Sequence, residues 1–283
     1  MQYTLKNQTL SITVDTLGAE LVSVIKDGKE RLWQNQTCEW NGHAPVLFPV
    51  CGHLSLMHEG INYPISAHGF AKHSQFVLRG QVCDELVFSL QNSEETERVY
   101  PFAFCLNVRY KLDGNALCIA YEVKNLSKEK PLFFACGSHE AYALDENVDE
   151  YKICFEKEEN FVHYHHDAGG YLTGETQDFG RGKEFPLPRD FLQKGATLIF
   201  KNVNSQKLCL CKKSGKTLAE LTFAGFDNLL LWRNGDAKYI CIEPWTNLPD
   251  YANAQDMEFA QKQGVLRVEA GESKTLAHKI TWF

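Results

Sequence analysis

The sequence around Glu243 is difficult to explain by folding alone. This glutamate follows the apolar run KYICI and precedes Pro244-Trp245. Positions on the core side of such a run are normally apolar, because burial of an unpaired carboxylate costs free energy. Pro244 favours an extended conformation of Glu243, and Trp245 supplies apolar surface beside it. These surroundings predict a raised carboxyl pKa, as a general base requires, with an exposed glutamate at a strand end as the alternative.

Two histidines stand where apolar runs end. His139 in PLFFACGSHEAY leaves such a run through a Gly-Ser step, a placement that exposes a side chain at the end of a strand. His68 in YPISAHGFAKHSQF is followed by glycine and flanked by apolar residues. Taken alone, each histidine is compatible with a structural role beside a turn as well as with catalysis.

A third histidine group lies in FVHYHHD, which contains His163, His165, His166 and Asp167. Histidines two apart on a strand can bind one metal ion together. However, residues 161–180 are rich in Gly, His and Asp and residues 181–192 contain two prolines, so this whole segment predicts a long loop. Because no second group of ligands accompanies the histidines, we predict a solvated loop and no metal site.

The elements that must position these residues are strands. Period-two alternation recurs along the chain, most clearly in FAFCLNVRY and LCIAYEV, whereas helical periodicity is scarce and no βαβ spacing is visible. Turn dipeptides lie between such runs, at Asp27-Gly28, Asp113-Gly114, Ser214-Gly215 and Asn234-Gly235. We therefore predict an all-β fold, one large antiparallel β-sandwich over residues 1–283, with short helices only at 189–195 and 251–264.

Composition excludes several classes of function. A net charge of −7, a pI near 5.8 and the lack of any basic run argue against binding to nucleic acid. No stretch approaches the roughly 20 apolar residues of a membrane-spanning helix. The N-terminus shows the alternation of a strand and lacks the basic-then-apolar pattern of a signal peptide. We expect no nucleic-acid partner and no membrane association.

The ten cysteines are spread along the chain, mostly inside apolar runs, and form no CxxC pair. A buried free cysteine behaves as a small apolar residue. Neither a structural zinc site nor a thioredoxin-like redox site is favoured by this spacing. We predict a reduced, cytoplasmic protein.

Four blocks of the sequence together point to a family. The segments APVLFPVCGHL, AHGFAKHSQF, FACGSHEAY and CIEPWTNLPDY occur in this order between positions 44 and 251. They resemble the aldose 1-epimerase family and its galactose mutarotase-like relatives, and the likeness extends more loosely over the rest of the chain. The resemblance implies a galactose mutarotase-like supersandwich with an open sugar-binding cleft on one sheet.

Carried over residue by residue, the resemblance makes Glu243 the general base, His139 the general acid and His68 a residue that contacts the sugar. Mutarotation removes the proton of the anomeric hydroxyl and delivers a proton to the ring oxygen, so one carboxylate and one imidazole suffice. The implied partner is a small-molecule sugar, an aldohexose, and the implied reaction requires no metal, nucleotide or redox cofactor.

Two positions depart from the family pattern. His53 stands in PVCGHL where many members have arginine, and Ala196 begins GATLIF's apolar block where an aspartate often binds sugar hydroxyls. Histidine cannot form the two-pronged hydrogen bonds of a guanidinium. We still expect His53 to contact substrate, and both departures bear on which substrate is bound.

Two alternative functions remain on the same fold. A noncatalytic carbohydrate-binding or sensing protein would need hydrogen-bonding groups but no matched acid and base, and retention of Glu243 and His139 favours an enzyme. A hexose-phosphate 1-epimerase would call for an arginine-rich anion site, against which His53 argues. The sequence specifies neither the aldose nor whether the chain forms a homodimer.

Overall fold

The structure is a computed structural model that describes residues 1–192, 196–253 and 256–283. It is mostly β-strand, which confirms the predicted all-β class. The strands are β1 Gln2–Lys6, β2 Leu10–Asp15, β3 Leu21–Lys26, β4 Lys29–Glu30, β5 Leu56–His58, β6 Ile61–Tyr63, β7 Val77–Val82, β8 Glu85–Gln91, β9 Phe104–Asp113, β10 Ala116–Asn125, β11 Leu132–Phe134, β12 Glu140–Ala143, β13 Tyr151–His166, β14 Leu172–Pro186, β15 Leu198–Phe200, β16 Lys207–Lys212, β17 Thr217–Thr222, β18 Asn228–Trp232, β19 Tyr239–Trp245, β20 Leu266–Val268 and β21 Ser273–Trp282. The short helices are α1 Glu94–Glu97, α2 Arg189–Leu192 and the 3₁₀ turns Ala71–His73, Val148–Glu150 and Phe259–Gln261.

The strands form one large sheet and three small ones. The large sheet has 13 strands in the order β12-β19-β18-β15-β13-β16-β17-β21-β10-β9-β8-β7, with β14 paired to β13. Strands β1 to β4 form a second sheet in chain order, and β5-β6 and β11-β20 form two-stranded ladders. Every paired ladder between these strands is antiparallel, as predicted.

The large sheet curves until distant strands face each other. Glu140 on β12 and His278 on β21 approach to 2.9 Å, although these strands lie seven steps apart in the sheet order. In a flat sheet, seven steps would separate them by roughly 30 Å or more. The two halves therefore enclose the main hydrophobic core between them, and that core contains residues from Leu5 to Trp282.

The predicted hairpin turns are confirmed. Asp27 and Gly28 have φ of 53° and 71° between β3 and β4, and Gly114 has φ of 58° between β9 and β10. Ser214-Gly215 joins β16 to β17, and Asn234-Gly235 lies between β18 and β19. These left-handed conformations match the twist of antiparallel strands, which is why Asp-Gly and Asn-Gly dipeptides signalled them in the sequence.

The long loop predicted over 161–180 and 181–192 was wrong. Most of this segment forms the hairpin of β13 and β14, which extends from Tyr151 to Pro186. Among the described strands, β14 forms a ladder only with β13, and it is exposed along most of its length, so it needs no apolar alternation. Gly174 and Gly180, with φ of 89° and 96°, lie in this irregular edge strand and gave the sequence its loop-like composition.

The helix predicted over 251–264 was also wrong in extent. Only Phe259–Gln261 forms a 3₁₀ turn there, and positions 254–255 lie outside the described residues. The helix predicted over 189–195 is confirmed for Arg189–Leu192, whereas positions 193–195 lie outside the described residues. Across the described parts of the chain, none of the helices has the length and apolarity that a membrane crossing requires.

Candidate active site

Strand β19 determines where Glu243 points. It lies between β12 and β18, with Ile242 opposite Glu140 and Glu243 opposite Leu230. Side chains alternate along a strand, so Cys241 and Glu243 share one face while Ile242 enters the main core on the other. The buried carboxylate therefore faces away from the main core, toward a cavity.

His139 meets Glu243 in that cavity. His139 Nε2 lies 3.3 Å from Glu243 Oε2, and the two residues are 9% and 2% exposed. Both predicted catalytic residues line this cavity, which has a volume of about 670 Å³. The sequence-predicted acid and base are thus adjacent, buried and accessible to a small molecule.

Burial shifts the pKa values of Glu243 and His139 in opposite directions. Burial raises the pKa of Glu243 well above its usual range, and the nearby charge of Glu140 adds to the rise. Burial lowers the pKa of His139 to about 4. Because each shift favours the neutral form of its group, the pair holds one proton over a wide range of pH.

The backbone before His139 is held by close strand contacts. Gly137 forms bridges to both Leu47 and Trp245, and a Cβ at this position would lie 2.6 Å from the Trp245 ring. The Ser138 N–H donates to Pro244 O, and Trp245 Nε1 donates to Ser138 O, each at 3.2 Å. The Gly-Ser step of the sequence thus places His139 against β19, because only glycine fits beneath Trp245.

His68 lies near His139 in an unusual backbone conformation. Its φ of 64° is left-handed, and its Nδ1 accepts a 3.2 Å hydrogen bond from the Gly52 N–H. That bond leaves Nε2 as the protonated nitrogen, and burial lowers the pKa of His68 well below its usual value. The ring centroid is 5.2 Å from Trp245 and 5.8 Å from His139. A neutral His68 can therefore donate one hydrogen bond to a ligand beside the catalytic pair.

Tryptophan rings enclose the imidazole of His139. The Trp40 ring lies 5.2 Å from His139 at a 31° tilt, and Trp232 meets His139 edge-on at 5.6 Å. With Trp245, these rings give the cavity flat apolar walls beside its polar groups. Such a mixture of aromatic faces and converging polar atoms fits a ligand that has apolar faces and polar edges.

Comparison with known proteins shows the family to which the chain belongs. The family model for aldose 1-epimerase matches residues 1–278. This chain belongs to the aldose 1-epimerase family. Protein LacX (chromosomal) of Lactococcus lactis subsp. lactis is 30% identical over 265 residues, with 88% of each chain covered.

Solved structures from the family show the same fold. A galactose mutarotase-like protein from Lactobacillus casei superposes with a TM-score of 0.92 at 27% identity, with 100% of each chain covered. A galactose mutarotase related enzyme from Lactobacillus acidophilus gives a TM-score of 0.89 at 26% identity, covering 100% of this chain and 97% of that one. The galactose mutarotase-like fold predicted from the sequence is therefore confirmed.

The two departures from the family pattern lie in different surroundings. His53 lines the cavity and packs under the turn between β13 and β14, where a Cβ on Gly170 would be 2.6 Å from its ring. Ala196 precedes β15, and it is the next residue, Thr197, that lines the cavity. The structure thus brings His53, His68, His139 and Glu243 to one cavity.

Sequence reasoning missed three residues at or beside this cavity. Lys72 and Glu20 line the cavity, and Cys241 lies next to Glu243 on the same face of β19. Lys72 has no carboxylate within ion-pair distance among the described residues, and burial lowers its pKa. The alternation of KYICIEPW could have revealed Cys241, whereas Lys72 sits in a short 3₁₀ turn with no such signal.

The histidine group at 163–167 does not act as a unit. His163 is buried, accepts a 3.1 Å hydrogen bond from the Ile199 N–H and packs on Phe191. His166 lines the cavity, and its Nδ1 is 2.8 Å from Asp167 O. The predicted solvated loop is wrong here too, because these residues end β13 and begin its turn rather than extending into solvent.

Proposed function

We propose that this protein is an aldose 1-epimerase, a mutarotase that interconverts the α and β anomers of an aldose. The observation that carries the proposal is the 3.3 Å approach of His139 Nε2 to Glu243 Oε2 at the wall of the cavity. A base and an acid so close can serve two oxygens bonded to one carbon, and the anomeric carbon of a cyclic aldose carries the anomeric hydroxyl and the ring oxygen.

In this proposal, Glu243 accepts the proton of the anomeric hydroxyl while His139 Nε2 donates a proton to the ring oxygen. The bond between the anomeric carbon and the ring oxygen breaks, and the anomeric carbon becomes the carbonyl of the open-chain sugar. Rotation about the bond between the first two carbons presents the other carbonyl face. Ring closure then returns both protons with the roles of Glu243 and His139 exchanged, so each cycle leaves the enzyme unchanged.

The shared proton of the pair fits this cycle. In the empty site, opposite pKa shifts favour a neutral Glu243 and a neutral His139. Since the two atoms are 3.3 Å apart, the proton can pass to His139 when sugar hydroxyls solvate the carboxylate. Ring opening and closure need one proton on the pair at all times, and neither needs a second.

The aromatic walls and His68 support a sugar as the ligand. A pyranose ring exposes C–H groups on its faces and hydroxyls at its edge. Trp40, Trp232 and Trp245 offer surfaces for the faces, and His68 Nε2 offers a donor for a hydroxyl.

The decisive experiment is an anomer-exchange assay by polarimetry or NMR across a panel of aldoses, with the spontaneous rate subtracted. Catalysis of at least one aldose supports the proposal. Sugar binding without acceleration of exchange would instead support a noncatalytic carbohydrate-binding or sensing protein, for which a matched acid and base would have no purpose.

One observation favours a second candidate, an epimerase acting on a phosphorylated aldose. Lys72 lines the cavity with no carboxylate partner among the described residues, and its positive charge adds to burial in lowering the pKa of both His53 and His68. An ion pair between phosphate and ammonium should lower the KM for the phosphorylated sugar about 10- to 100-fold relative to the free sugar. That preference should disappear in Lys72→Met and persist in Lys111→Met, which removes an exposed lysine from β9. Equal KM values for both sugars in the wild type would eliminate this candidate.

We also propose a cytoplasmic location for the protein. All ten cysteines are free thiols, five of them buried, so the chain relies on packing rather than on cross-links. A reducing compartment keeps such thiols free.

A further inference from the structure

A thiol lies beside the proposed acid and base. One ligand atom each of His139, Cys241 and Glu243 lies within 4.8 Å of the other two, and all three residues are buried. Cys241 is fully buried and has no role in the proton transfers proposed above. Imidazole nitrogen, thiolate sulfur and carboxylate oxygen are the three donor types with which proteins bind zinc.

The spacing of the group already resembles a coordination sphere. Two ligands of a tetrahedral zinc ion with bonds of about 2.0 Å lie about 3.3 Å apart. His139 Nε2 and Glu243 Oε2 are 3.3 Å apart in the protein. Cys241 precedes Glu243 by two positions on β19, so its side chain projects to the same face. Small side-chain rotations would bring Sγ into the third position.

The surroundings leave one coordination position open. His139 and Glu243 line the cavity, from which an ion and a water molecule can enter, whereas Cys241 is enclosed by Trp33, Ala141 and Tyr239. His139 Nδ1 has no hydrogen-bond partner among the described residues, so no hydrogen bond at that nitrogen opposes a small rotation of the ring. Three protein ligands with a fourth position open to water are the arrangement of catalytic zinc sites, as opposed to closed structural ones.

We propose that His139, Cys241 and Glu243 form an inhibitory binding site for Zn²⁺. Binding takes the Cys241 sulfur as thiolate and Glu243 as carboxylate, and it releases two protons to the buffer, one from the thiol and the one that His139 and Glu243 share. The metal then occupies His139 Nε2 and Glu243 Oε2, the atoms that exchange protons with sugar. Inhibition rests on the proposed function, whereas metal binding does not.

Metal binding is tested first, without any activity assay. Chelator-treated protein is titrated with Co²⁺, and the thiolate-to-cobalt charge-transfer absorption is recorded; Zn²⁺ should then displace the cobalt. We expect one saturable equivalent in the wild type. Cys241→Ser should lose the charge-transfer absorption and bind Zn²⁺ more weakly. The loss of affinity should exceed the factor of about 10 to 100 that follows when a partner outside the coordination sphere is removed. Cys118→Ser, which alters a partly exposed thiol on β10, should behave as the wild type.

Inhibition is tested by anomer exchange in Zn²⁺, with each variant's rate divided by its own rate in EDTA. The Zn²⁺ concentration for half inhibition should rise in Cys241→Ser by the same factor as its dissociation constant, and Cys241→Ala provides a second variant if serine disturbs folding. The site would be overturned if the wild type lacked the charge-transfer absorption, or if both Cys241 variants bound Zn²⁺ as tightly as the wild type. A protein that binds Zn²⁺ as expected but exchanges no anomers would overturn only the epimerase proposal.

Discussion

Glu140 and His278 form a buried pair immediately behind the proposed catalytic residues. His278 Nε2 lies 2.9 Å from Glu140 Oε1, and both side chains are almost completely inaccessible to solvent. Burial alone would raise the pKa of Glu140, but the charge of His278 and its hydrogen bond outweigh burial and lower it. Glu140 follows His139 in the chain, and its negative charge favours protonation of both His139 and Glu243.

Glu140→Gln should therefore shift the pH profile of anomer exchange. With that negative charge removed, protons leave His139 and Glu243 more readily, so both limbs of the kcat/KM profile should move to lower pH. The measurement is kcat/KM against pH in EDTA, and Glu159→Gln is the matched control because it replaces another buried carboxylate that does not line the cavity. A loss of rate without movement of either limb would assign Glu140 a purely structural role.

Glu243→Gln should separate activity from stability. Glutamine cannot accept the proton, so exchange should fall by ~10²–10⁴-fold. The folded-state pKa of Glu243 is raised. The contribution of protonated Glu243 to the free energy of unfolding is therefore complete below the unfolded-state pKa and is lost as pH rises through the folded-state pKa. Denaturant unfolding should thus show the variant gaining stability over the wild type with increasing pH.

Glu20→Gln provides the control for the Glu243 variant. It removes another carboxylate from the cavity wall, one whose Oε1 accepts hydrogen bonds from the backbone N–H groups of His43 and Ala44. Its effect on the exchange rate should be much smaller. Near-normal turnover in Glu243→Gln with an intact fold would remove Glu243 from the mechanism.

His139→Asn should reduce the exchange rate on a similar scale while sugar binding changes much less, because the lost proton transfer belongs to the transition state. Binding is measured by calorimetry and turnover by polarimetry. If affinity collapses and the rate for bound sugar does not, His139 is a binding residue.

The same variant should make folding less sensitive to acid. The pKa of His139 is lowered to about 4 in the folded state, so the wild type loses stability as pH falls from the unfolded-state value toward 4. That loss amounts to about 3 kcal/mol of the free energy of unfolding for a shift from about 6.5. Denaturant melts at neutral pH and near pH 4 should show a smaller difference for His139→Asn than for the wild type.

Discrimination between epimeric sugars should be weak. His53 stands where the family resemblance places a two-pronged donor, and each hydrogen bond to a charged group contributes ~1.5–3 kcal/mol. Kinetics with glucose and galactose test this, and His53→Arg should lower KM for at least one sugar. His73→Arg, which adds the same charge elsewhere on the cavity wall, should not. Sharp selectivity together with no response to His53→Arg would mean that other residues select the sugar.

All ten cysteines should titrate as free thiols after denaturation without reductant, because each is unpaired in the folded protein. Mass spectrometry of alkylated protein checks the count. Stable native disulfides in protein isolated from its natural host would contradict a cytoplasmic location.

The amino-acid sequence by itself determined the strands and most of their turns. Alternation and Asp-Gly or Asn-Gly dipeptides act over a few residues, so β9, β10 and their turn could be predicted directly. The same local logic marked Glu243, because a carboxylate at the end of an apolar run requires an explanation. It failed for β14, an exposed edge strand whose pairing comes from β13 rather than from its own apolar pattern.

Only the tertiary structure decided which of these strands face each other. The curvature of the large sheet brings β12 against β21 and creates the Glu140–His278 pair, and the pairing of β12 with β19 places His139 beside Glu243 and Cys241. Side-chain alternation fixes the face on which a residue lies but not what that face meets. Contacts between strands distant in the chain depend on sheet order and twist, and these are properties of the whole packed sheet.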